Sequence, residues 1–145
     1  MEKVRVSKIF DFEMAHALWG YDGKCSNVHG HSYRIFVTVE GPVRKETGHP
    51  KDGMVVDFAE LKAVVKQQVV DVYDHALVIN EETPEELVRM LQKHYQKVYV
   101  TPWQPTCENL LLEYVRRLRE HLPEGLKLVY VKLQETATSY AEWGC

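Results

Sequence analysis

The run Cys25-Ser26-Asn27-Val28-His29-Gly30-His31 leads without a break into Ser32-Tyr33-Arg34-Ile35-Phe36-Val37-Thr38-Val39-Glu40. Tyr33, Ile35, Val37 and Val39 fall on alternate positions, the period of a half-buried strand. If the extended chain begins as early as residue 29, His29 and His31 project to the same face. Two imidazoles on one face begin a metal site, and neutral histidine is a common zinc ligand. Cys25, just upstream, is either a third ligand or a reactive thiol beside the metal.

Upstream, Val4, Val6, Phe10, Phe12 and Met14 alternate in the same way, with Lys8 as the one break, so a first strand runs to Ala15-His16-Ala17. The glycine-punctuated loop Trp19–Lys24 joins the two strands, which are expected to pair antiparallel with histidines at one end. Gly41-Pro42 ends the second strand, and residues 44–53 are a polar connection. Asp57 with Glu60 reads as a capping box for a helix to about Tyr73, its inner face Phe58, Leu61, Val64, Val65, Val69 and Val72. Thr83-Pro84-Glu85-Glu86 signals a second helix to about Gln96, with Leu87, Met90, Leu91 and His94 inward. Val98-Tyr99-Val100 is a short apolar piece. Thr106 caps a third helix, 107–121, and strands follow over 126–135 and 138–143. The order β-β-α-α-α-β-β predicts an α+β fold, a four-stranded antiparallel sheet with helices on one face, in a single domain spanning 1–145.

The composition is ordinary, 45% hydrophobic and 27% charged with a net charge of −3. There is no basic excess to suggest nucleic acid. No apolar run approaches the roughly 18 residues that a membrane-crossing helix needs, and the N-terminus lacks the apolar core of a signal peptide. A cytoplasmic, reducing location is the default expectation. Three cysteines, at 25, 107 and 145, make no disulfide framework.

A catalytic zinc site has three protein ligands and an open position. His16 ends the first strand beside the start of the second, so His16, His29 and His31 make one candidate set. That set leaves Cys25 as a thiol near a cation, where its thiolate is favoured. The competing set is Cys25, His29 and His31, with His16 structural. Rigid strand ends favour the first set by a small margin, and both remain open. His49, His94 and His121 read as ordinary polar residues. Asp74-His75 reads equally as a helix end or as a carboxylate-oriented base, although adjacent side chains do not readily face one another. Glu135 closes an apolar strand, either turned to water or accepting two N–H donors from a planar ligand. Glu108 is explained by the first turn of its helix.

Taken together, Phe12-Glu13-Met14-Ala15-His16, Cys25-x-x-x-His29-Gly30-His31, Gly53-Met54-Val55-Val56-Asp57-Phe58, Asp74-His75, Pro105-Thr106-Cys107-Glu108-Asn109 and Glu135-Thr136 resemble the 6-pyruvoyl-tetrahydropterin synthase family over nearly the whole chain. The resemblance implies the tunnelling fold, zinc on His16, His29 and His31, and Cys25 as catalytic thiol with Asp74 and His75 as proton-handling partners. It implies that Glu135, helped by Thr106, anchors a pterin, and that the chain forms a homohexamer, a dimer of trimers, with sites between subunits. Three residues between Cys25 and His29 resemble the queuosine-pathway branch. Its reaction takes 7,8-dihydroneopterin triphosphate to a 6-carboxy-tetrahydropterin, acetaldehyde and triphosphate. The pyruvoyl-forming branch has a longer spacer. A purely structural zinc domain needs a fourth ligand, and a silent relative should lack Cys25, Asp74 or His75. The chain departs from the family's compact members over Asn80–Gln104, expected to alter a rim or subunit contact.

Overall fold

In the computed structural model, which describes residues 1–144, β1 (Lys3–Ala17) and β2 (His29–Pro42) form a long antiparallel ribbon. Lys3 lies opposite Pro42 at one end and His16 opposite His29 at the other. Cys145 lies outside the described residues. Strict alternation gives the ribbon two unlike faces. Phe12, Met14, Tyr33, Ile35, Val37 and Val39 are buried in the core. The opposite face carries ion pairs, Arg5 with Glu40 at 3.0 Å and Arg34 with Asp11 at 2.7 Å. Such exposed pairs contribute little to stability, so the apolar face holds the ribbon in place.

The sheet continues from β2 through β5 (Lys127–Thr136) to β6 (Ser139–Gly144), both antiparallel. Across the apolar face lies α4 (Cys107–His121), burying Leu110, Leu111, Tyr114, Val115 and Leu118. Thr106 caps it as expected, its hydroxyl accepting from Asn109 N at 3.2 Å, a contact worth about 1 kcal/mol. Beside it lies α1 (Phe58–Val65), capped by Asp57, whose carboxylate accepts from Ala59 N and pairs with Lys51. The helix then widens into a π-turn over Lys66–Val70, where Asp71 N–H reaches back to Lys66 O, and closes with the single turn α2 (Asp71–Tyr73).

The four-stranded antiparallel sheet expected from the sequence is corrected here to a mixed sheet of six strands, in the order β4-β3-β1-β2-β5-β6. The additions are β3 (Ala76–Asn80), parallel to β1, and β4 (Val98–Thr101), parallel to β3. Ala76, Val78, Ile79 and Asn80 are all buried, so β3 lacks the alternation that marks a half-exposed strand. The second helix also differs. α3 (Glu85–His94) starts after Pro84 without a side-chain cap, and the Thr83 hydroxyl, buried, has no hydrogen-bond partner among the described residues. Val88 and Leu91 face inward against Ala17, Ile79 and Val98, whereas Leu87 and Met90 are exposed. The helix rests on a sheet edge, which covers a narrower stripe than the sequence pattern assigns to it.

Candidate metal and substrate site

The ribbon end brings His16, His29 and His31 together. His16 lies opposite His29, and His31 lies opposite Met14, two residues before His16. All three are on the helix-facing side by alternation. The ring centroids are 4.5 to 5.2 Å apart, and one ligand atom from each lies within 4.8 Å of the others. Among the described residues Cys25 is not part of this group.

The hydrogen bonds fix the tautomers of two rings. His16 Nδ1 lies 2.6 Å from Pro105 O, and His29 Nδ1 lies 2.7 Å from Asn27 O. A carbonyl oxygen only accepts, so each Nδ1 carries the proton and each neutral ring presents a bare lone pair at Nε2. These two Nε2 atoms face each other at 2.9 Å. Two lone pairs cannot hydrogen-bond to one another; a metal ion held by both nitrogens, or a second proton on one ring, satisfies the contact. His31 Nε2 is buried with no hydrogen-bond partner among the described residues, at 3.8 Å from Glu135 Oε1. Burial lowers the pKa of His16, against the opposing pull of the Pro105 carbonyl and the Glu135 charge, and His29 and His31 lower it further. The donor set therefore fits a divalent metal with three nitrogen ligands and an open position, the ring orientations set by backbone carbonyls.

Around this group, Glu135 is half-buried at the end of β5, and its charge acts on His16, Tyr33 and Cys107. Cys107 is held neutral: burial first, then Glu135, pushes its thiol up to about 12, and its Sγ donates to Leu133 O at 3.3 Å. Thr106 stands between Pro105, which orients His16, and Cys107, at the start of α4. Two contributors escaped sequence reasoning. The Pro105 carbonyl carries no side-chain signal. Tyr33 did have one, its position two residues after His31 on the same face. Its hydroxyl is buried and unpartnered among the described residues, and its ring packs edge-on to those of His31 and His16.

Cys25 sits in a short helical turn, Lys24–Ser26, between the strands. Its carbonyl accepts from Leu18 N at 2.9 Å, which closes the loop just beyond His16 and leaves the thiol exposed. The thiol thus sits in the short, tied loop that joins the strands bearing the histidines.

Asp74 and His75 do pair, adjacent though they are, at 3.1 Å between Asp74 Oδ2 and His75 Nδ1. Asp74 is extended and His75 is left-handed, with φ 64°, which swings the two side chains together. The Asp74 carboxyl lies below its ordinary value, chiefly because Glu13 N–H donates to Oδ1 at 2.8 Å, and further because of His75 and Lys97. The His75 ring is 78% exposed. It lines grooves with Glu13 and Ser32, one of which also takes in Ala15 and His31; Glu13, Ala15 and Ser32 alternate to the face opposite the three histidines. Among the described residues, neither Asp74 nor His75 belongs to the three-histidine group.

The family model for 6-pyruvoyl tetrahydropterin synthase matches residues 5–144. The chain belongs to that family. Among relatives, a 6-carboxy-5,6,7,8-tetrahydropterin synthase of Haemophilus influenzae is 37% identical, the match covering 96% of this chain and 97% of that protein. The enzyme of the same name from Aquifex aeolicus is 32% identical over 97% and 98% of the two chains. The solved structure of Caenorhabditis elegans 6-pyruvoyl tetrahydropterin synthase superposes with a TM-score of 0.67 at 26% identity, covering 100% of this chain and 97% of that one. An uncharacterized Wolinella succinogenes protein shares the fold at a TM-score of 0.79 and 23% identity, over 99% of both chains. Family membership and the shared fold agree with the α+β layout read from the sequence. No helix among the described residues is long and apolar enough to cross a membrane.

Proposed function

We propose that the chain is a zinc-dependent carbon–carbon lyase of queuosine biosynthesis. It converts 7,8-dihydroneopterin triphosphate to 6-carboxy-5,6,7,8-tetrahydropterin, acetaldehyde and triphosphate. The observation that carries the reading is the pair of bare Nε2 atoms of His16 and His29 facing each other beside His31. This is a prepared cation site, in a family whose relatives named above match over nearly their full length. The three-residue spacer before His29 favours the carboxy-forming outcome over the pyruvoyl-forming one.

His16, His29 and His31 would hold zinc, which when bound supplies a Lewis acid at the side-chain oxygens of the substrate. Glu135 accepts paired N–H donors from the pterin ring, with Thr106 beside it, and sets the register of the substrate. The Cys25 thiolate takes a proton from the carbon next to the ring, and His75, oriented by Asp74, carries protons to and from the side chain. Asp74 and His75 lie on the opposite face from the histidines within one chain. The complete site is therefore read as forming between subunits, in a homohexamer built from two trimers.

The test is to incubate the zinc-loaded protein with 7,8-dihydroneopterin triphosphate and measure acetaldehyde. Stoichiometric release supports the reading; a 6-pyruvoyl product without acetaldehyde overturns the carboxy-forming assignment. Cys25→Ala should keep its zinc and lose about 100-fold or more in turnover, the range of a general base. Full turnover in that variant removes the thiol from the mechanism.

A further inference from the structure

Lys97 is half-buried just before β4. Its ammonium donates to two carbonyls, Asp71 O and Asp74 O, each at 2.8 Å. These are among the carbonyls that a helix end leaves without N–H partners, at the negative end of its dipole. Two residues further on, the Tyr99 hydroxyl donates to Val72 O at 2.9 Å, and its ring packs edge-on against Tyr73. The backbone bearing Lys97 is itself tied down, because Leu77 N donates to Lys97 O at 2.9 Å and β3 pairs with β4 from there on.

The peptide unit joining Asp74 to His75 is held at both of its polar groups. Its carbonyl accepts from Lys97, and its N–H donates to Glu13 O at 2.5 Å. Beyond that plane, His75 adopts its left-handed conformation, a region that non-glycine residues occupy only when their surroundings hold them there. Glu13 grips from the β1 side, through this bond and through its N–H to Asp74 Oδ1. Lys97 grips from the β4 side.

We infer that Lys97 is a positioning residue for the Asp74–His75 pair. Its ammonium fixes the orientation of the Asp74–His75 peptide plane and so aims the His75 ring. The inference rests on the proposed proton-handling role of His75. It assigns to the 80–104 segment a task in the chemistry, beside the rim or subunit contact expected from the sequence.

The test compares zinc-loaded wild type with Lys97→Met and Lys97→Arg. In Lys97→Met, kcat should fall by about tenfold to a hundredfold, the cost of misplacing a reacting group by roughly an ångström. KM and zinc content should stay at wild-type levels, because the Lys97 ammonium is engaged by the carbonyls of Asp71 and Asp74 and by none of the three histidines. Lys97→Arg, which keeps a donor cation, should recover kcat to within about threefold. A second readout needs no substrate: hydrogen exchange of the His75 amide should speed up by about tenfold or more in Lys97→Met and stay slow in Tyr99→Phe. Unchanged kcat with a protected His75 amide overturns the inference. So does a joint fall in kcat, zinc content and melting temperature that Lys97→Arg does not recover, since that marks a structural cap alone. If Lys97→Met fails to fold, Lys97→Gln carries the same readouts. If wild type releases no acetaldehyde, the functional reading falls, and the His75 exchange rate still decides whether Lys97 positions that residue.

Discussion

At the histidine end of the β1–β2 ribbon, the two faces of the sheet are finished to different degrees. On the helix-facing side, three imidazoles converge within 4.8 Å, two of them oriented by the carbonyls of Pro105 and Asn27. On the other side, the Asp74–His75 pair is built with equal care, but its ring is left in the open. The first group could hold a metal ion; the second stands open on the surface. A side chain that binds a permanent ligand can be buried and locked beforehand. A side chain that exchanges protons with an arriving substrate must stay accessible, so its supports act on the backbone behind it.

The largest effect should come from the buried face. Replacing His16 by Ala removes one of the three proposed ligands, and stoichiometric zinc should be lost by elemental analysis, with turnover down roughly a thousandfold or more. Stoichiometric zinc in that variant would break the three-histidine assignment. On the open face, Asp74→Asn should keep its zinc and lose turnover by about tenfold to a hundredfold. The same variant has a pH signature. The folded carboxyl of Asp74 titrates below its ordinary value, so the stability it contributes is fully present above the ordinary carboxylate range. That contribution is lost as pH falls through the lowered value. The melting-temperature gap between wild type and Asp74→Asn should therefore narrow on acidification below about pH 5; a gap that widens would contradict the sign. The smallest effect concerns two thiols. Iodoacetamide at about pH 8 should modify exposed Cys25 and spare Cys107, whose thiol is held neutral by burial and by Glu135. Peptide mass spectrometry reads the difference, and equal labelling would mean that the α4 start is less closed than its packing implies.

Side-chain periodicity made the long elements legible. The alternation of Val4 to Met14 and of Tyr33 to Val39, the stripe of α4 and the Thr106 cap all lie where the pattern placed them. The ribbon register then brought His16 beside His29, as expected from two strand ends meeting. What escaped was governed by backbone or by burial on both sides. β3 is short, and all of it but Leu77 is buried, so it has no period to detect. The Pro105 carbonyl, which sets the tautomer of His16, has no signature in residue type. Whether Asp74 and His75 face each other turns on one left-handed φ, at a histidine where no glycine announces it. Lys97 carries no signal in the sequence, and only the pairing of β4 with β3 sets it behind that turn.

The π-turn at Lys66–Val70 spends one residue more than an α-helix would need to cover the same backbone. Because each helical residue advances the azimuth by about 100°, the extra residue acts as a phase offset between α1 and everything after it. The wide turn absorbs that residue locally, with Asp71 N–H reaching back to Lys66 O. The single turn after it still delivers Asp74 and His75 to Glu13 and Lys97. The irregular turn thus works as a vernier between two parts of the chain that each keep their own register: a helix packed on the core, and the exposed His75 ring at the edge of the sheet.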